Sequence, residues 1–115
     1  MITEDYVSFE TAKLLREKGM DESCFKHYVQ KNNNDRTSEA VTVCTLQMAM
    51  KWLRKIHNLY IQTEITSWPQ KGYFVKIYLY KDWYNNFEEI PFVDHKKSYE
   101  EACEVAIKYC LEKLI

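Results

Sequence analysis

The sequence predicts an α+β fold in one domain: helix, β-hairpin, helix, antiparallel β-sheet of two to three strands, C-terminal helix. Three stretches place apolar residues at helical spacing behind a capping side chain, and two consecutive runs alternate with a period of two around a Pro/Gly turn. With only 2 Gly and 2 Pro in 115 residues, little of the chain is available for elaborate loops. A chain of this length suits a single domain over 1–115. It divides into an N-terminal helix and hairpin over 6–44 and an α-β-β-(β)-α unit over 45–115.

Taken in order, Ser8 is a natural N-cap for a helix from Phe9 to Lys18, with Phe9, Ala12, Leu14 and Leu15 forming the apolar stripe. Gly19 then supplies a left-handed C-cap. Cys24 to Gln30 and Thr37 to Cys44 predict a hairpin around the polar turn Lys31–Arg36. Thr45 caps the second helix, where Leu46, Ala49, Met50, Leu53 and Ile56 recur on one face, widened by Met48 and Trp52, until Asn58. Tyr60 to Trp68 and Tyr73 to Lys81 alternate on either side of Pro69-Gln70-Lys71-Gly72. This predicts an antiparallel pair with Ile61, Thr63, Ile65, Tyr73, Val75, Ile77 and Leu79 on one face. A weaker third strand is expected near Glu89 to Asp94, pushed to an edge by Pro91. Ser98 with Glu101 makes a capping box for the last helix, whose stripe runs from Tyr99 to Leu114.

Hydrophobic residues make up 46% and charged residues 29%, values that exclude disordered and low-complexity classes. The N-terminus is acidic and polar, unlike a secretory signal. No apolar run reaches the ~18 residues that span a bilayer. A cytoplasmic protein without membrane association is expected. The cysteines Cys24, Cys44, Cys103 and Cys110 contain no Cys-x-x-Cys, so free, buried thiols are expected. The formal net charge of -1 hides an asymmetry: residues 1–40 carry -2, residues 41–81 carry +5 and residues 82–115 carry -4. A basic middle between acidic ends either meets an anion or complements its own ends on folding, and the overall charge favours the second.

Signatures of catalysis are missing. There is no Gly-x-Gly-x-x-Gly, no Walker-type loop and no Gly-x-Ser-x-Gly, and two glycines cannot build a phosphate cradle. His27, His57 and His95 share no metal-ligand spacing, although a spatial Cys24/Cys44/His cluster is conceivable. Glu100 and Glu101 fall in the first turn of the last helix, where negative charge is structurally favoured. No catalytic residue, cofactor or metal site is therefore expected.

The unusual quantity is aromatic: 9 Tyr, 5 Phe and 3 Trp, or 15% of the chain. If Val75, Ile77 and Leu79 face the helices, Phe74, Tyr78 and Tyr80 face the other way, beside Tyr60 and Trp68, with Trp83 and Tyr84 beyond. Either the N-terminal helix or hairpin covers this face, giving a two-sided core, or the rings form a partner-binding surface. Tyr and Trp combine apolar area with a polar tip and concentrate at interfaces. Tyr60, Trp68, Phe74, Tyr78 and Tyr80 are thus the candidate contacts for another protein or a second copy in a homodimer. Rings on a sheet also stack nucleobases. Lys51, Arg54, Lys55 and Lys76 are the corresponding candidates for nucleic acid, the second reading.

The order helix, strand, strand, weak strand, helix over Thr45–Ile115 resembles the double-stranded-RNA-binding domain, and Lys96-Lys97-Ser98-Tyr99-Glu100-Glu101-Ala102 is similar to the entry of that family's final helix. The resemblance implies phosphate contacts from lysines in the first turn of that helix. Glu100, Glu101 and Glu104 stand there instead, and they would repel a duplex. Tyr6 to Gly19, Thr45 to Arg54 and Tyr99 to Leu114 together resemble small hypothetical proteins of Bacteroides-type gut bacteria and their phages and prophages. That resemblance implies a source and a class, and it carries no catalytic residues; the role expected is that of a non-enzymatic accessory protein acting on another protein or its own copy.

Overall fold

The structure is a computed structural model that describes residues 4–32, 38–67, 71–80 and 87–115. The elements follow the predicted order: α1 (Phe9–Glu17), a 3-10 turn (Glu22–Cys24), β1 (His27–Asn32), β2 (Ser38–Val43), α2 (Leu46–His57), β3 (Leu59–Thr66), β4 (Gly72–Tyr80), β5 (Phe87–Lys96) and α3 (Tyr99–Tyr109). A π-type turn over Cys110–Leu114 prolongs α3. The hairpin tip and the Trp68-Pro69-Gln70 part of the second turn lie outside the described residues.

Each helix begins where a hydroxyl meets an orphan backbone donor. Ser8, Thr45 and Ser98 accept from the N–H groups of Thr11, Met48 and Glu101, three residues on. The helix ends are equally local. Gly19 adopts φ 98°, and Asn58 caps α2 in the left-handed region at φ 56°. The basic residues Arg54, Lys55 and His57 occupy the last turn of α2, where they complement its dipole.

The strands β3, β4 and β5 form one antiparallel sheet in that order, and β1 and β2 form a separate hairpin. The helix α3 packs against all three strands of the sheet, α2 packs against β3 and α3, and α1 packs against α3 and β2. The core is thus one-sided. Leu59, Ile61, Val75 and Ile77 supply it from the sheet, and Ala102, Cys103, Ala106, Ile107, Cys110 and Leu111 from α3 and its extension.

The structure corrects several boundaries and two faces. The segment Cys24–Lys26 is not strand. Asp21 accepts from Ser23 N–H and nucleates a 3-10 turn that drops Phe25 into the core, and Arg16 lies 4.1 Å above the Phe25 ring. Lys31 and Asn32, expected in the turn, continue β1. The third strand is longer than its weak signal, because Pro91 sits where the β4–β5 register shifts between Lys76 and Ile77. That bulge on an edge strand absorbs a residue without a backbone donor. Ile56 and Ile65, expected in the core, are 61% and 79% exposed. Periodicity assigned them a face, but the layer they would pack against has already ended.

Three of the four thiols, Cys44, Cys103 and Cys110, are buried, Cys24 is half-buried, and all are free. Burial pushes Cys44 up to about 11 and Cys110 up to about 12, and it also raises Cys103. In native protein near pH 8, Cys24 should therefore react first with a thiol reagent, and the other three only on unfolding. Fast labelling of both Cys103 and Cys110 would contradict the orientation of α3. A raised thiol pKa favours the folded state fully below the ordinary value of 9.0, where both states are protonated. Stability should then fall as pH climbs from 9 through 11 and 12, where the unfolded chain ionises first.

Candidate interaction surface

Alternation places Tyr60, Gln62 and Glu64 of β3 and Phe74, Lys76, Tyr78 and Tyr80 of β4 on the sheet side away from the core. Register then decides which rings meet. Tyr60 pairs with Tyr78, Tyr80 with Phe87, and Phe74 with His95. Tyr60 and Tyr80 meet edge to face at 6.2 Å, Tyr78 and Phe87 at 5.6 Å, and Tyr80 and Phe87 at 5.9 Å. The result is a chain of rings spanning all three strands at one end of the sheet. Phe74 and His95 make a second edge-to-face pair, at 5.1 Å, further along.

This face is open. Among the described residues no helix packs over it, and Tyr60, Tyr80 and Phe87 are 40%, 45% and 53% exposed. Among the described residues α1 packs against α3 and β2, and the hairpin strands form their own sheet, so neither closes a second core on this face. The charges around the rings are of mixed sign. Glu64 accepts from the Gln62 amide at 2.9 Å, Glu89 pairs with Tyr78, and Lys76 lies between them on β4.

The structure therefore brings together Tyr60, Tyr78 and Tyr80, leaves Phe74 with His95, and does not describe Trp68, Trp83 or Tyr84. Sequence reasoning missed Phe87. The same alternation, carried two residues back from Glu89, would have found it. The basic candidates are spread over two elements, Lys51, Arg54 and Lys55 on α2 and Lys76 on β4. The Arg54 guanidinium lies 6.0 Å from the Tyr60 ring centre, so part of its charge is engaged with the aromatic cluster. Among the described residues no group of three or more His, Cys, Asp or Glu side chains is placed to hold a metal ion. No helix is long and apolar enough to cross a membrane, again among the described residues.

A hollow of about 450 Å³ opens at the start of α3, lined by Asp5, Glu100, Glu101 and Glu104 with Tyr6 and Lys96. Partial desolvation, followed by the neighbouring Glu100 carboxylate, raises the Asp5 pKa. Glu104 also has a structural task. Its Oε1 accepts from Thr11 Oγ1 at 2.6 Å and from Ser8 N–H at 3.0 Å, and so ties the start of α1 to α3. No family model, curated protein or solved structure matches this chain.

Proposed function

We propose that this chain is a non-enzymatic accessory protein of phage or prophage type that holds a protein partner on the outer face of β3–β5. The supporting observation is the open ring chain Tyr60–Tyr80–Phe87–Tyr78. Large rings with polar tips anchor protein interfaces at little cost in side-chain entropy. The size of the face sets the occupant. On the opposite side α3 lies across all three strands with α2 beside it on β3, so a sheet face of this width suits helices and the partner element is an amphipathic helix laid across the rings.

The second reading is a nucleic-acid module. The α2–β3–β4–β5–α3 order and the residues Lys51, Arg54, Lys55 and Lys76 support it. Four carboxylates at the start of α3 weigh against it, because they repel phosphate where that topology would need cations. Panning a library of amphipathic helical peptides against the chain separates the readings, with mixed RNA and single- and double-stranded DNA titrated beside it. Selected peptides should bind with little dependence on salt and weaken about tenfold or more in Tyr80→Ala or Phe87→Ala. Nucleic-acid binding at physiological salt that disappears when Lys51, Arg54 and Lys55 are neutralised would overturn the proposal.

A further inference from the structure

The two edges of the sheet are built differently. The β5 edge carries Pro91 at a register shift, with Glu88 and Glu89 nearby, devices that keep an edge from pairing with another chain. The β3 edge has none of them. Its eight residues run in unbroken register against β4 with one charge, Glu64, and four β-branched residues at Ile61, Thr63, Ile65 and Thr66. Among the described residues no strand lies along its other side.

The direction of the backbone groups follows from one bond. Tyr80 N–H donates to Asn58 C=O at 3.0 Å, so in this register Asn58, Tyr60, Gln62 and Glu64 exchange bonds with β4. The N–H and C=O groups of Leu59, Ile61, Thr63 and Ile65 therefore point away from β4, along the free edge. Ile65, 79% exposed, is the apolar side chain left over beyond the core.

We propose that a second copy of this chain pairs antiparallel along β3, with Thr63 on the two-fold axis. That register sets Ile65 opposite Ile61 of the second copy on the core side. On the outer side it sets Glu64 opposite Gln62 of the second copy, an amide donor facing a carboxylate. A register two residues further along would put Glu64 against its own symmetry mate. The two three-stranded sheets would become one of six strands, and the outer face would widen from about 14 Å to about 29 Å. The pairing stands whether or not the aromatic face holds a partner helix.

Sedimentation equilibrium up to millimolar concentration, with amide exchange of the same samples, tests this. The wild-type chain should dimerise reversibly, and the Thr63 and Ile65 amides should exchange more slowly as concentration rises. Ile65→Lys should weaken the dimer about a hundredfold, tenfold for each copy of the residue, with its far-UV spectrum unchanged. Ile65→Pro should do the same, because it removes a donor that β4 does not use. Tyr78→Ala, which damages the aromatic face, should leave the dimer intact, so failure of the face and failure of the edge give different results. A wild-type chain that stays monomeric, or a dimer that survives both Ile65 variants, would overturn the proposal.

Discussion

Leu53→Ala should lower the unfolding free energy by about 2–5 kcal/mol, a large part of the 5–15 kcal/mol typical of a domain. Leu53 is fully buried on α2, the helix wedged between β3 and α3. Truncation removes its apolar area from the core and leaves a space that two sheet and helix layers cannot both close. The backbone should stay in place, since the Leu53 carbonyl still accepts from Asn58 N–H at the cap. Urea titration with an unchanged m-value checks this. A loss below about 1 kcal/mol, the size of a surface change, would mean that the α2 stripe faces solvent.

Gly72→Ala should destabilise by about 1–3 kcal/mol, against the usual direction for removing a flexible glycine. At a compatible site, Gly→Ala stabilises by about 0.4–1 kcal/mol through the unfolded state. Here a Cβ would lie 2.6 Å from the Lys96 carbonyl oxygen and 2.6 Å from His95 Nε2. The imidazole can swing away. The carbonyl cannot, because Lys96 pairs with Tyr73 in the β4–β5 ladder. Thermal unfolding of Gly72→Ala in the wild-type and His95→Ala backgrounds separates the two contacts, and most of the loss should persist when the ring is gone. A stabilised Gly72→Ala would show that β5 lies further from the start of β4.

The parts of this fold that were legible in the sequence are those specified over three or four residues. Ser8, Thr45 and Ser98 each cap a donor three positions on, and Gly19 and Asn58 each end a helix by their own backbone freedom. Alternation likewise gave the faces of β3 and β4. The extent of a face is a different matter. Ile56 and Ile65 keep the period yet stand beyond the layers that α3 and the sheet provide, and nothing local marks where those layers stop. Pro91 marks an edge strand in the sequence, but it does not shorten that strand, because the bulge that accommodates it is set by β4 opposite.

The candidate site divides the same way. Tyr60, Tyr78 and Tyr80 follow from alternation, whereas their meeting with Phe87 depends on the β4–β5 register. The acidic hollow draws on Asp5 and on Glu100–Glu104, nearly the whole chain apart in sequence. The sequence alone shows that the carboxylates of the last helix would repel a duplex. Their convergence with Asp5 and the tie of Glu104 to Thr11 and Ser8 depend on the fold.

The account rests on the outer face of β3–β5 being open, and hydroxyl-radical footprinting of the dilute chain measures that directly. Tyr60, Tyr80 and Phe87, each about half exposed, should oxidise readily, while Phe25, 5% exposed in the core, should be strongly protected. Rings on the sheet as protected as Phe25 would contradict it: the face would then be covered by the chain itself, and the proposed partner would have no place to bind.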